Sequence, residues 1–336
     1  MKKTRLLFAV NRHWYPTLFS AAELERLRGI VELLNEDPPS VIDKNFLLEN
    51  LPDADIVVTS WDTANLDAEI LAAAPRLQLV CHAAGSVRPV VSDALWQRGL
   101  RVTSAAPAIS HGVAEFCLGM ILMATKRVFW SAQAVRQGYW QEASSSFGGL
   151  FELYQQNVGI VGAGYIGKHL SRLFGNFDCQ VYVYDPYLSV DEAKSLGCQK
   201  VETLEELFSQ CRVVSLNAPS NEGTRHMLRG HHFAALPTGA VFVNTAGSIQ
   251  IHEAEFVEEL KKGRFVACLD RCETEPCPLD HPYRTLPNVI LTPHIAGVAA
   301  ENRFRIGTFA VNEVEAFVQE KPFIHEVTKE KLATMA

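Results

Sequence analysis

The chain has 336 residues, of which 48% are hydrophobic and 21% are charged, and it carries a formal net charge of −7. This length predicts about two domains, and the composition is that of a globular protein with an ample core. Nucleic-acid binding requires clustered lysine and arginine, so the acidic balance and the lack of a long basic run argue against a nucleic-acid partner.

Short apolar strands alternate with helical segments before residue 105, a pattern typical of βαβ units and a parallel sheet. The segment SAAELERLRGIVELLN (20–35) predicts a helix. A second, apolar helix is predicted at 110–127; its most apolar window, 112–125, spans about 14 residues, whereas a bilayer span needs about 20. We therefore expect a buried helix and no membrane partner. The strand candidates of this part are RLLFAV, DIVVTS, LQLVC and LRVTS.

A second run of strands begins near Asn157, after a Ser- and Gly-rich segment at 144–149 that we expect to be a surface loop. A last helix is predicted at 300–319. Together the two runs predict an α/β protein with two parallel-sheet domains. The strand candidates of the second run are NVGIVG, CQVYVYD, RVVSLN, AVFVN, FVACLD and NVILTPH.

The cysteines are scattered, and most lie in apolar runs, as small core residues do. The spacing of Cys268, Cys272 and Cys277 matches no zinc pattern, so we expect no metal. This distribution favours a reducing, cytoplasmic setting.

The segment NVGIVGAGYIG (157–167) has the G-x-G-x-x-G spacing of a dinucleotide-binding turn, after a strand and at the start of a helix. Gly162 permits the tight turn, Gly164 lets a pyrophosphate approach the backbone, and Gly167 lets the helix pack on the strand. The next strand ends at Asp185, 18 residues beyond Gly167, where a carboxylate would accept the adenosine ribose hydroxyls. No Arg or Lys follows at 186–188 to hold a 2′-phosphate, so NAD is favoured over NADP.

Five motifs in chain order resemble those of the D-isomer-specific 2-hydroxyacid dehydrogenases: VGIVGAGYIG, VVSLNAPSNEGT, VFVNTA, LDRCETEP and LTPHIAG. The resemblance covers nearly the whole chain. It implies two doubly wound domains, with a Rossmann NAD-binding domain (106–297) inserted into a flavodoxin-like substrate domain (1–105 and 298–336). It also implies a homodimer formed through the cofactor domain, although burial within one subunit would explain the apolar 112–125 helix equally well.

The resemblance also implies roles for individual residues. His294 would exchange the hydroxyl proton, and Glu275 would fix its tautomer and stabilise the imidazolium. Without the family, His294 would be a strand-end histidine bonded to backbone and Glu275 a loop acid. Asp270 would orient the nicotinamide carboxamide. The remaining cofactor contacts are expected at Tyr165, Ile166, Ala218, Pro219, Thr224 and Thr245.

One position departs from the family pattern. Members usually have arginine after Asn-Thr-Ala, where it binds the substrate's carboxylate and carbonyl, but this chain has Gly247. A hydrogen bond to a charged group is worth about 1.5–3 kcal/mol, so losing a bidentate pair should cost about a hundredfold or more in rate. Two cations could substitute: Arg88, in the loop whose backbone at Gly85 and Ser86 would bind the carboxylate, and Arg271, which should point away from the nicotinamide.

Three hypotheses follow. The chain could be an NAD-dependent oxidoreductase for a substrate other than a plain small 2-hydroxyacid, with Gly247 making room and Trp61 forming a pocket wall. It could have the ordinary family activity, with Arg88 supplying the charge. It could instead be an NAD(H)-binding regulator or scaffold that has lost catalysis. The presence of both Glu275 and His294 favours an enzyme, because a binding module needs neither.

Overall fold

The structure of the chain, a computed structural model, describes residues 3–140, 149–332 and 335. The loop expected at 144–149 lies outside the described residues, except for its last glycine. The chain divides into two compact units. Unit 1 contains Met1–Ile109 and Val298–Ala336, and unit 2 contains Ser110–Gly297.

Unit 1 is a sheet with helices in its connections. Its strands lie in the order β2-β1-β3-β4-β5, all parallel, and β13 pairs antiparallel with β5 at one edge. The order 2-1-3-4-5 is the flavodoxin-like one, as predicted. The strands are β1 Arg5–Ala9, β2 Glu32–Leu33, β3 Ile56–Thr59, β4 Leu79–His82, β5 Arg101–Ser104 and β13 Glu326–Val327. The helices are α1 Tyr15–Leu18, α2 Ala21–Ile30, α3 Lys44–Asn50, α4 Ala68–Ala73, α5 Asp93–Gln97, α13 Ala300–Val318 and α14 Lys329–Leu332.

The predicted helix at 20–35 is too long. Helix α2 ends at Ile30, because Val31 takes an extended conformation and Glu32–Leu33 pair with β1 as an edge strand. The amides of Glu32 and Leu34 donate to the carbonyls of Thr4 and Leu6, each at 2.8 Å. Tertiary pairing therefore overrides the helical pattern of the sequence in this segment.

Unit 2 is a second sheet, in the order β12-β11-β10-β9-β6-β7-β8, with every pair parallel. Because the chain runs outward in opposite directions from the β6–β9 pair, the carboxyl ends of these strands form the switch point where α/β sheets bind ligands. The strands are β6 Asn157–Val161, β7 Gln180–Tyr184, β8 Cys198–Lys200, β9 Val213–Leu216, β10 Val241–Asn244, β11 Val266–Leu269 and β12 Val289–Leu291. The helices are α6 Ala106–Thr125, α7 Val128–Arg136, α8 Tyr165–Phe174, α9 Val190–Ser195, α10 Leu204–Gln210, α11 Gly230–Ala235 and α12 Glu253–Lys261.

Both sheets match the predicted doubly wound folds, and the short edge strand β8 was not predicted. Strands β9, β10 and β11 are buried at every position, which explains their continuous apolar sequences. Helix α6 has 20 residues and is, by length and composition alone, long enough to cross a bilayer. Half of its most apolar window is buried in the protein.

His82, at the end of β4, is a buried histidine that affects the acid stability of unit 1. Its side chain is almost fully enclosed, and Nδ1 lies 2.9 Å from the Thr59 hydroxyl. Burial lowers the pKa of His82 from 6.5 to about 4. The folded protein therefore keeps this ring neutral at a pH where the unfolded chain protonates it.

We expect His82 to destabilise the fold on acidification by up to about 3 kcal/mol as the pH falls from about 6.5 to about 4, because the unfolded state binds the proton first. Urea unfolding of the wild-type protein, His82→Gln and an exposed control, His13→Gln, across this range measures the effect. The His82→Gln variant should lose stability less steeply than the other two proteins. Equal slopes for all three would contradict this account.

Candidate active site

The glycine-rich turn between β6 and α8 is shaped by backbone contacts that exclude side chains. Gly162 has φ +94°, and a Cβ there would lie 2.7 Å from the backbone N and Cα of Ala218. A Cβ on Gly167 would lie 2.1 Å from the carbonyl oxygen of Gly162, so α8 packs directly on the turn. At Gly164 a Cβ would meet nothing within 4 Å, which leaves open the side that a phosphate must approach.

The amino end of α8 also suits an anion. Gly164 is the N-cap and has no side chain to cap the helix. The amides of the first turn, which begins at Tyr165 and Ile166, are therefore not capped by a side chain of Gly164 and carry the positive end of the helix dipole. Asp185 follows β7 directly, and its carboxylate accepts hydrogen bonds from the amides of Ala163 at 2.7 Å and Tyr187 at 2.8 Å. Asp185, the residue predicted to bind the adenosine ribose, therefore contacts the glycine turn. These features fit the pyrophosphate and ribose of a dinucleotide.

The other predicted cofactor residues lie at the carboxyl ends of β9 and β10. Ala218 borders the glycine turn, and the next residue, Pro219, accepts a hydrogen bond through its carbonyl from the Thr224 hydroxyl at 2.6 Å. Thr224 therefore fixes the shape of this loop. The Thr245 hydroxyl lies 3.2 Å from the Cys117 thiol of α6. Both loops belong to the ligand-binding edge of the sheet.

Asp270, after β11, has a structural role that sequence reasoning missed. Its buried carboxylate accepts hydrogen bonds from the Thr292 hydroxyl at 2.6 Å and from the amides of Ile295 at 2.9 Å and Ala296 at 2.8 Å. These bonds bracket His294, whose own amide donates to the Asp270 carbonyl at 3.0 Å. A carboxylate offers about four acceptor positions, so one remains for a ligand. Asp270 therefore holds the histidine loop in addition to its predicted cofactor contact.

His294 and Glu275 are brought together as predicted. His294 Nδ1 lies 3.0 Å from Glu275 Oε2, and the other oxygen of Glu275 accepts a 2.5 Å hydrogen bond from Arg271 Nε. Burial would raise the pKa of Glu275, but the pairs with Arg271 and His294 outweigh it and hold that pKa below its ordinary value. Glu275 is therefore ionised at neutral pH. The pair borders a cavity of about 610 Å³ lined also by Asp270, Cys272, Cys277, Arg284 and Thr292.

The loop that lacks the family arginine is built around glycine. Gly247 has φ +154°, and a Cβ there would lie 2.4 Å from the Ser220 hydroxyl. That hydroxyl accepts a hydrogen bond from Gln250, which also donates to the Ala218 carbonyl at 2.8 Å. Asn244 closes the loop by donating to the Gly247 carbonyl at 2.6 Å. An arginine at 247 would strain the backbone and displace Ser220.

The predicted substrate residues of unit 1 follow two of its parallel strands. Trp61 follows β3 and packs against Trp14, with ring centroids 5.1 Å apart. Gly85 and Ser86 follow β4, and the Gly85 carbonyl accepts from the Ser104 hydroxyl at 2.6 Å. Both strand ends are positions where α/β sheets bind ligands.

The structure gives Arg88 a different task from the predicted one. Its guanidinium donates to the backbone carbonyls of Leu332 and Met335, and burial lowers its pKa. These contacts argue against Arg88 as the substrate cation, because its Nη2 group is bound to the C-terminal segment.

One group of potential metal ligands was not predicted. Glu205 Oε1 lies 3.3 Å from Nε2 of both His231 and His232. His232 Nδ1, however, accepts the amide N–H of Arg229 at 3.0 Å, so a neutral ring carries its proton on Nε2 and directs it at Glu205. We therefore interpret this group as a hydrogen-bonded cluster, because the neutral ring of His232 has no free nitrogen lone pair to bind a metal.

The sequence of the chain is similar to those of known proteins. Residues 118–296 match the family model of the D-isomer specific 2-hydroxyacid dehydrogenase NAD-binding domain. A glyoxylate reductase of Korarchaeum cryptofilum is 32% identical over 285 residues, covering 84% of each chain. A D-3-phosphoglycerate dehydrogenase of Methanocaldococcus jannaschii is 30% identical over 275 residues, which cover 82% of this chain and 52% of that protein. The chain thus spans about half the length of such curated relatives.

Solved structures give the same fold. The apo D-mandelate dehydrogenase of Rhodotorula graminis superposes with a TM-score of 0.84 over 97% of this chain and 98% of its own, at 23% identity. The predicted fold and NAD cofactor are confirmed. The chain belongs to the D-isomer specific 2-hydroxyacid dehydrogenases, a family of NAD-dependent oxidoreductases.

Proposed function

We propose that the protein transfers a hydride between the nicotinamide of NAD and the CH–OH or C=O carbon of a 2-hydroxyacid-like molecule. The observation that carries this proposal is the 3.0 Å contact between His294 and Glu275. The pair lies after β11 and β12, in the segment that matches the NAD-binding family model.

In this proposal one part of the chain binds NAD and the other contacts the substrate. Residues 106–297 would hold NAD through the turn at 162–167, Asp185 and the loops that follow β9, β10 and β11. Residues 1–105 and 298–336 would supply the substrate contacts at Trp61, Gly85 and Ser86. We also propose a homodimer, which the partly exposed apolar side chains Met123, Val128 and Val135 of α6 and α7 support.

His294 performs the proton transfer in this proposal. Its Nδ1 faces Glu275, which leaves Nε2 for the substrate oxygen. NAD, when bound, supplies or accepts the hydride. In the oxidation direction His294 Nε2 takes the hydroxyl proton, and the carboxylate of Glu275 stabilises the imidazolium. In the reduction direction the imidazolium returns that proton to the carbonyl oxygen.

We propose that the substrate is larger than a plain small 2-hydroxyacid. Gly247 stands where family members carry a long arginine, and the strain described above argues that the position is built for glycine. In this proposal the volume that the long arginine side chain fills in family members is left to a larger substrate, such as a sugar-derived one.

NADH oxidation by a panel of compounds tests the proposal. The panel contains glyoxylate, pyruvate, phenylpyruvate and keto-sugar acids, and turnover is followed by the near-ultraviolet absorbance of NADH. We expect turnover, with the larger oxoacids having the higher kcat/KM. Tight NADH binding without turnover of any compound would overturn the enzymatic proposal and favour an NAD(H)-binding regulator or scaffold.

A further inference from the structure

We propose that Arg271 binds the carboxylate of the substrate and so supplies the positive charge that position 247 lacks. This inference rests on the proposed function and concerns which side chain selects an acidic substrate. It assigns a role to a residue that the sequence pattern placed away from the nicotinamide.

Arg271 lies beside the loop that carries Gly247. Strands β10 and β11 are adjacent, with Asn244 opposite Leu269, so the residues that follow each strand are neighbours. Arg271, Asn244 and Ser248 line one small space at this edge. Glu253 borders the same space, but its ion pair is with His281 at 3.4 Å. Arg271 therefore borders the same space as Ser248, the residue that follows Gly247.

The guanidinium of Arg271 keeps most of its hydrogen-bonding capacity. An arginine has five N–H donors, and Arg271 uses Nε for Glu275. Within residues 3–140, 149–332 and 335, no hydrogen bond involves its two Nη groups. The side chain is 31% exposed, so these groups can reach a ligand. A planar fork with open Nη groups is the arrangement that binds a carboxylate bidentately.

Glu275 sets the distance between this cation and the proton-transfer histidine. One oxygen of Glu275 bonds Arg271 Nε and the other bonds His294 Nδ1, so the guanidinium and imidazole lie on either side of one carboxylate. A 2-oxoacid carries its carboxylate and its carbonyl on adjacent carbons, and its two protein partners must be correspondingly close. Arg271 and His294 share Glu275 as a partner, so both are held at this end of the sheet.

Two other arginines, Arg88 and Arg284, donate hydrogen bonds to backbone carbonyls. Arg88 donates to the backbone near the C-terminus. Arg284 borders the same cavity as His294, but its Nε and Nη2 donate to the carbonyls of Pro278 and Cys277 at 2.8 and 2.7 Å. Of these cations, Arg271 alone combines open donors with a direct link to Glu275.

The experiment compares Arg271→Met and Arg271→Lys with Arg225→Met, an exposed arginine paired with Glu222. Each protein is assayed with a 2-oxoacid and with its uncharged methyl ester. We expect Arg271→Met to lower kcat/KM for the acid about a hundredfold and for the ester only a few-fold, because two charged hydrogen bonds are lost only with the acid. Arg271→Lys should retain part of the preference, and Arg225→Met all of it.

The pH profile gives a second readout. Arg271 helps to hold the pKa of Glu275 low, so the acid limb of kcat/KM should move to higher pH in Arg271→Met. Equal losses for acid and ester would mean that Arg271 only positions Glu275, and they would overturn carboxylate binding. Unchanged kcat/KM values for both the acid and the ester in Arg271→Met would overturn it as well.

A wild-type protein that turns over no oxoacid would refute the proposed function, and Arg271 is then judged by binding. Oxamate, an unreactive 2-oxoacid analogue, should bind the NADH-loaded wild-type protein at least about tenfold more tightly than the Arg271→Met holoprotein. Equal oxamate affinities, or no oxamate binding to either protein, would overturn the assignment of Arg271.

Discussion

Replacing His294 with alanine should lower kcat about a thousandfold while the affinity for NADH stays unchanged. A positioned acid–base group typically contributes about 10²–10⁴-fold, and no other imidazole contacts Glu275 within residues 3–140, 149–332 and 335. Rapid kinetics with a good oxoacid substrate measures the loss, and fluorescence titration measures the dissociation constant of NADH.

A control variant separates this effect from the loss of any histidine. His231 is an exposed histidine of unit 2 paired with Glu205, and His231→Ala should keep full activity. Glu275→Gln should lie between the two variants, because glutamine can still accept a hydrogen bond from His294 but cannot stabilise the imidazolium by charge. Full activity of His294→Ala would refute the mechanism proposed for this site.

Replacing Gly167 with alanine should destabilise unit 2 severely, by more than about 3 kcal/mol, and abolish NADH binding. The new Cβ would lie 2.1 Å from the Gly162 carbonyl oxygen, so helix and turn would have to separate, a larger disturbance than ordinary overpacking. Chemical unfolding of the variant, followed by circular dichroism, measures the loss of stability.

Gly164→Ala is the matched control for Gly167→Ala. A Cβ at Gly164 meets nothing within 4 Å, so this variant should lose only about 1 kcal/mol, the cost of alanine at the N-cap of α8. It should nevertheless bind NADH at least about tenfold more weakly, because the methyl group occupies the side from which the pyrophosphate approaches. Equal stability of Gly167→Ala and Gly164→Ala would contradict the account of this turn.

Features that depend on short stretches of chain were predictable from the sequence. The glycine turn at 162–167 and the buried strands β9 to β11 are signalled by local spacing and by continuous apolar runs. Edge strands were not predictable: β2 and β8 have two and three residues, and their conformation comes from pairing with a neighbour. Local propensity carries little information about such segments.

The candidate site also has contacts that could be predicted from the sequence and contacts that could not. The pairing of His294 with Glu275 followed from the family resemblance, and the structure places both residues at hydrogen-bonding distance. The second partner of Glu275 could not be predicted, because the direction of the Arg271 side chain depends on packing around the end of β11. The contacts of Arg88 with the C-terminal segment are likewise long-range in sequence.

The most direct measurement follows deuterium from the cofactor to the product. The protein is incubated with a 2-oxoacid and NADH that carries deuterium at both positions on C4 of the nicotinamide, and the product is analysed by NMR and mass spectrometry. We expect a 2-hydroxyacid with deuterium on C2, formed by the wild-type protein and formed about a thousandfold more slowly by His294→Ala. NADH binding without any transfer of deuterium to a product would contradict the central claim that this site performs hydride transfer.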